Sequence, residues 1–309
     1  MIEIEHLTKK YKNIVAVHDL SLKIKQGEVF GFIGPNGAGK TTTIRILAGL
    51  LRPTSGKAAI GGYDVTKDTT QVKSLVGYMP DSFGVYDQMR VWEYLDFFGA
   101  AYRIKKGQRR EAIDRVLNLT GSEYMRDYYI GTLSRGMRQK VGLAKTLIHN
   151  PQVIILDEPA SGLDPRARIE LRDTIKKLRL QGKTILISSH ILAELGDFCD
   201  TIGIIEKSRL LATGTLSDIM REIRQHIVIE IQILNGMEQA VEILKTQSTV
   251  KSWTSSGDLI RVEFDGRIEE SCDLLNSLVT SGVRVQWYSE VPIDLEDVFM
   301  LVTSKAEGK

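Results

Sequence analysis

The stretch GPNGAGKT at 34–41 sets three glycines ahead of a lysine and a threonine at the spacing G-x-x-x-x-G-K-[ST]. Gly34, Gly37 and Gly39 let a backbone curl with its amides turned inward, a geometry closed to most residues bearing a Cβ. Lys40 offers a point charge to β- and γ-phosphates, and the Thr41 hydroxyl offers a ligand to magnesium. Pro35, Asn36, Ala38 and Thr42 complete the candidate nucleotide cradle. A glycine-rich turn that binds nothing has no need of the Lys-Thr pair. A second constellation, VIILDE at 153–158, runs apolar residues into two carboxylates. Asp157 then emerges at a strand end, where it can hold a magnesium shell, and Glu158 can orient or deprotonate an attacking water. Taken alone, this is also any acidic pair ending a strand. A third stretch, LSRGMRQK at 133–140, begins with a serine suited to capping a helix. Local sequence leaves it open as a plain capped helix or a second anion site, and favours the cap.

The elements that must position these groups follow from periodicity. Short alternating apolar runs over residues 1–30 read as antiparallel strands. EVFGFIG at 28–34 is a buried strand entering the glycine loop, and TTTIRILAGLL is the helix that leaves it. From Val91 to about Thr146 apolar residues recur three and four apart, which predicts helices. PQVIILDE, the crossover helix IELRDTIKKLRLQG and KTILISSH restore strand–helix alternation and predict a mostly parallel sheet. TIGIIEKSRLLATG predicts a hairpin turning near Lys207–Arg209. Beyond Thr215 come a linking helix, LSDIMREI, and the order β-α-β-β-α-β, the split arrangement of ferredoxin-like domains. A last helix, DLEDVFMLVT, follows.

Composition bounds the rest. The 309 residues hold enough chain for one large and one small domain, and 42% hydrophobic with 26% charged content is that of an ordinary globular protein. A net charge of +2, from 41 basic and 39 acidic residues, gives no footprint for nucleic acid. Cys199 and Cys272 lack metal-type spacing and fit a reducing compartment. The charged start MIEIEHLTKKYK has no apolar core of a signal peptide, and no apolar run reaches membrane-spanning length. The chain is expected not to cross a membrane by itself.

In this order and spacing GPNGAGKTT, LSRGMRQK, VIILDEP, SGLD and SSH closely resemble the nucleotide-binding subunit of ATP-binding-cassette (ABC) transporters. The resemblance covers roughly residues 1–215. It implies an α/β P-loop NTPase (RecA-like) core with an antiparallel β subdomain and a helical subdomain at about 86–146, followed by the small α+β domain at 216–309. It also implies ATP with Mg2+, and a head-to-tail dimer in which Ser134 and Gly136 bind the γ-phosphate of ATP held by the opposite subunit. Asp164, in SGLD, matches the loop that touches the partner's phosphate loop. Tyr11 matches the aromatic that stacks on adenine, and its alternative is a strand residue packed in the sheet. His190 matches the histidine that contacts the γ-phosphate and positions water. Asp81, in GYMPD, stands where the family has Gln or Glu, shorter by a methylene. Arg135 and Met137 replace a Gly and a Gln of the common pattern.

The aromatic stretch SFGVYDQMRVWEYLDFF holds the place where the family receives a helix of the membrane subunit. Phe83, Val85 and Tyr86 are candidates for that groove, and Trp92, Tyr94, Phe97 and Phe98 for helical core. The C-terminal region resembles an extension of drug- and antibiotic-export subunits, ending in a LEDVF-like helix at Leu295–Phe299. The resemblance therefore implies an ATP hydrolase that drives transport, with export favoured, on the cytoplasmic face of the cell membrane. Its partners are a second copy or a homologous ATPase subunit, and an integral membrane permease. Two alternatives stand beside it: a soluble cassette ATPase acting on ribosomes or DNA, and a nucleotide-controlled regulatory module. The transported substrate is not written in this chain.

Overall fold

A computed structural model describes residues 1–191, 195, 198–223, 227–266 and 268–291. The chain divides into two compact units between Leu216 and Ser217.

The first unit opens with an antiparallel hairpin, β1 (Ile2–Tyr11) and β2 (Ile14–Ile24), followed by β3 (Val29–Ile33). The glycine loop leads from β3 into α1 (Lys40–Leu47), then come β4 (Ser55–Ile60), β5 (Tyr63–Asp64), α2 (Thr69–Leu75) and β6 (Val76–Met79). Strands β2-β1-β4-β5 form one sheet. Three helices follow, α3 (Val91–Ala101), α4 (Lys106–Leu119) and α5 (Arg135–Leu147). After them run β7 (Val153–Asp157), α6 (Pro165–Leu180), β8 (Thr184–Ser189), and the hairpin β9 (Thr201–Glu206) with β10 (Arg209–Gly214).

The second sheet, β10-β9-β3-β8-β7-β6, positions the chemistry. Its pairs β9–β3, β3–β8, β8–β7 and β7–β6 are parallel, so these strands end along one edge. VFGFI, VIILD and TILISS are buried at every position, as strands covered on both faces must be. Ile33 pairs with Ser189, and Asp157 with Ser188, so the glycine loop, Asp157–Glu158 and His190 all leave the sheet abreast. The crevice beyond the carboxyl ends of such strands is where open parallel sheets take ligands.

Two helix starts are built by their sequences. Ser134 Oγ accepts the Met137 N–H at 3.3 Å to cap α5, and Asp164 Oδ1 accepts the Ala167 N–H at 2.9 Å to cap α6, with Pro165 in the first turn. Each cap contributes about 1 kcal/mol. Helix α5 buries Val141, Ala144 and Leu147, with Ile148 buried at its C-cap, whereas Met137 in its first turn is only half-buried.

Among the aromatics, Tyr94 is fully buried and Phe98 packs edge-on against it, as expected. Phe97 is not core: it is 46% exposed and meets Tyr86 edge-on, because the turn of α3 that sends Tyr94 and Phe98 inward carries residue 97 outward. Phe83 is half-buried with its ring on Gly142 of α5, where a Cβ would lie 2.3 Å from Cζ.

The second unit begins with α7 (Leu216–Ile223), which straddles the boundary. It continues through β11 (Ile227–Asn235), α8 (Met237–Thr246), β12 (Val250–Ser256), β13 (Leu259–Phe264), α9 (Ile268–Thr280) and β14 (Arg284–Glu290). The antiparallel order β12-β13-β11-β14 has the expected ferredoxin-like topology, over a core of Ile229, Ile231, Ile260, Val262, Phe264, Leu274 and Leu278. The expected last helix at Leu295–Phe299 lies outside the described residues.

His149, after α5, stacks on Tyr102 at 3.8 Å and hydrogen-bonds the Val76 carbonyl through Nε2 at 3.1 Å. Burial pushes its pKa down to about 4. A histidine held neutral in the fold but free to charge when unfolded subtracts stability as pH falls from its unfolded value toward 4. Thermal denaturation should therefore show the melting temperature dropping between pH 7 and pH 4.5, and His149→Gln should flatten that dependence while lowering stability at pH 7.

Candidate nucleotide site

The glycine loop is shaped by its neighbours as well as by its own torsions. A Cβ on Gly34 would lie 2.1 Å from the Ile205 carbonyl oxygen, and one on Gly39 would lie 2.3 Å from that of Ala16. Gly39 also has φ +110°, and Gly37 φ +83°. The backbone thus curls tightly between β2 and β9, and only glycine fits at 34 and 39. Lys40 emerges beneath the loop at 5% exposure. Its ammonium donates to the carbonyls of Gly34 and Pro35 and pairs with Glu158 Oε1 at 3.2 Å.

The end of β7 supplies the opposite wall. Asp157 Oδ1 accepts hydrogen bonds from Thr41 Oγ1 at 3.2 Å and from Ser188 Oγ at 2.7 Å. Burial pushes the Asp157 carboxyl above its ordinary value; those two hydrogen bonds oppose the shift, and the charges of Glu158 and Asp81 reinforce it. Glu158 stands at φ +51°, a left-handed conformation costing a non-glycine residue roughly 1–2 kcal/mol. Its N–H donates to Ser188 Oγ at 3.0 Å, and its Oε2 meets His190 Nδ1 at 2.7 Å. Its surroundings therefore over-determine the strain and fix the carboxylate in place.

Together these groups enclose a concavity of about 210 Å³ lined by Pro35, Asn36, Gly37, Gly39, Lys40, Thr41, Thr42, Asp81 and Glu158, with Ala16 at its side. Of the expected residues, Gly34, Lys40, Thr41, Asp157, Glu158, His190 and Asp81 are brought together here, and Ala38 is buried beneath the loop. Tyr11 ends β1 with its ring 43% exposed and the Lys9 ammonium 5.0 Å from its centroid, not packed in the sheet and not lining the concavity. Ser134, Gly136 and Asp164 are absent from the lining and sit at two helix starts. Ser188 was missed: SSH drew notice only for its histidine, although the serine two residues earlier ties Asp157 to the backbone of Glu158. Its register opposite Asp157 is the signal that finds it.

Two protein families match the chain. The family described as ABC transporter matches residues 17–161, and the one described as ATP-binding protein DrrA1-3-like, C-terminal domain, matches residues 214–303. The bacitracin transport ATP-binding protein BcrA of Bacillus licheniformis is 33% identical over 97% of this chain and 96% of its own. The linearmycin resistance ATP-binding protein LnrL of Bacillus subtilis is 31% identical over 91% of this chain and 88% of its own. The dimeric ATP-binding cassette MJ0796, in a post-hydrolysis state with ADP and Pi, is 25% identical with a TM-score of 0.64, over 70% of this chain and 99% of that one.

The loop geometry ranks two substitutions. Gly37→Ala meets no atom within 4 Å and bears only its torsional strain, about 1 kcal/mol, whereas Gly39→Ala adds a collision with the Ala16 backbone. Urea denaturation should show Gly39→Ala to be the more destabilising by at least ~1 kcal/mol. Equal losses would mean that the β2 contact does not shape the loop.

Proposed function

The chain belongs to the ATP-binding subunits of ABC transporters, and from that premise we propose how its residues hydrolyse ATP and what that hydrolysis drives. The observation that carries the reading is the convergence of Lys40, Asp157, Glu158 and His190 at the ends of three adjacent strands. The loop amides and Lys40 take the phosphates, with Lys40 exchanging its loop carbonyls and Glu158 for phosphate oxygens. Glu158, released from Lys40 and still held by His190, accepts a proton from the attacking water. Its preset backbone keeps reorganisation at that step small.

The donor set fits a divalent cation. Thr41 Oγ1 and Asp157 Oδ1 already touch, and burial has raised Asp157 in a way that a cation would reverse. Among the described residues no cluster of three His, Cys, Asp or Glu side chains could hold a metal alone. Mg2+ would therefore be held by Thr41 and Asp157, with Asp81 reached through water, and would take its remaining ligands from phosphate and solvent. A cation held by those residues would supply positive charge to offset that of the phosphates.

Ser134, Gly136 and Asp164 serve the nucleotide of a second chain, arranged head to tail with two ATP between the subunits. Gly136 supports this: a Cβ there would meet nothing nearer than 3.6 Å, so the chain's own packing does not demand glycine. In a helix glycine costs about 1 kcal/mol relative to alanine, and a close approach from outside accounts for it. The partner is a second copy or a homologous subunit, and Tyr11 stacks on the adenine.

Transport follows from the relatives. BcrA and LnrL are named for bacitracin transport and linearmycin resistance, and the C-terminal unit matches the DrrA-like domain. We read this chain as powering export of a drug- or antibiotic-type compound through a separate membrane subunit at the cytoplasmic face. Among the described residues no helix is long and apolar enough to cross a membrane. The exposed edge formed by Tyr86 and Phe97 is where that subunit docks.

Complementation tests the dimer directly. Lys40→Ala and Ser134→Arg should each abolish hydrolysis as pure homodimers, the second while still binding ATP. A random mixture rebuilds one intact composite site in each mixed dimer, so turnover should return to about a quarter of wild type. No recovery, with mixed dimers demonstrated by native mass spectrometry, would place Ser134 outside the partner's site.

A further inference from the structure

Arg135 occupies the first turn of α5, next to the capping Ser134, and its side chain reaches the loop at 159–164 that joins β7 to α6. The guanidinium lies against Gly162: a Cβ there would fall 2.2 Å from Nη1 and 2.3 Å from Cζ. Gly162 itself has φ +66°. Glycine is therefore favoured at 162 by its torsion, and the arginine occupies the space that a side chain there would take.

The contact is the middle of three ties. At the start of the loop Gln139 Nε2 donates to the Pro159 carbonyl at 2.8 Å. Past its end Lys140 pairs with Glu170 of α6 at 2.9 Å. The loop also folds on itself, with the Ser161 N–H bonded to the Glu158 carbonyl and the Leu163 N–H to that of Ala160. Arg135 is exposed and pairs with no carboxylate among the described residues, and its guanidinium rests against Gly162.

We propose that Arg135 is a positioning residue whose guanidinium fastens Gly162, so that the helix start bearing Ser134 and the loop ending at Asp164 act on the partner subunit as one piece. This deepens the head-to-tail reading above and rests on it. Pro159, held by Gln139, directly follows Glu158. Engagement of Ser134 on the partner's nucleotide is thereby transmitted toward the base of this chain's own site. Arginine suits the role better than lysine, because a planar guanidinium covers a backbone face that a compact ammonium does not.

The experiment pairs amide exchange of the full chain without nucleotide with steady-state ATP hydrolysis, for wild type, Arg135→Ala and Arg135→Lys. In Arg135→Ala the Ser161 and Leu163 amides should exchange about tenfold faster while amides in the middle of α5 and α6 stay within about twofold. In the same variant kcat should fall about tenfold with KM for ATP within about twofold. Arg135→Lys should resemble Arg135→Ala in both readouts. Unchanged exchange in Arg135→Ala overturns the proposal, and so does full turnover in Arg135→Lys, which would make the charge alone the active feature. Faster exchange in Arg135→Ala, together with no recovery of turnover in the Lys40→Ala and Ser134→Arg mixture, would leave the clamp standing and remove the head-to-tail reading instead.

Discussion

A lysine ammonium at 5% exposure is the constraint around which the site is arranged. Burying such a charge costs several kcal/mol unless oxygens replace its water, and here two loop carbonyls and Glu158 do so. Those oxygens are available only because β3, β7 and β8 end side by side, which their uninterrupted burial enforces. The same arrangement gathers Asp81, Asp157 and Glu158 near that lysine. A phosphate chain entering there meets the repulsion of those carboxylates as well as the attraction of Lys40.

Glu158 shows how the sheet edge converts packing into preorganisation. Its left-handed backbone is unfavourable in isolation, yet Ser188, buried at 0% exposure, holds its N–H while donating to Asp157. One hydroxyl thus fixes the relative placement of two carboxylates whose roles differ. His190 fastens the far end of the Glu158 side chain. The strain is retained because Ser188, His190 and Lys40 oppose its relief, and the result is a carboxylate held in one place.

What was legible in the sequence depended on the range of the cause. The glycine spacing, the acidic strand end and the Ser134 cap follow from residue types within a few positions, and they read directly, whereas the contacts of Ile205 and Ala16 that tighten the loop do not. The central strands read as continuous apolar runs because both faces are covered. Phe97 misled because Tyr94, Phe97 and Phe98 all satisfy helical spacing, and only the packing of α3 decides which of them turns outward. Ser188 was opaque because its role depends on strand register, and Arg135 because its side chain crosses to a loop two elements away.

Two glycines separate demands made within the chain from those made outside it. Gly162 is explained within one chain by its own torsion, φ +66°. Gly136 has neither a positive φ nor a close neighbour, and a helix would be more stable with alanine there. Ser134 shows the same asymmetry: its oxygen accepts the Met137 N–H while its own proton is left to donate outward. An exposed hydroxyl donor beside an unneeded glycine, at a helix start, is chemistry suited to an anion that this chain does not hold in its own concavity. In the head-to-tail arrangement proposed above, the second chain is part of the reason for the sequence of the first.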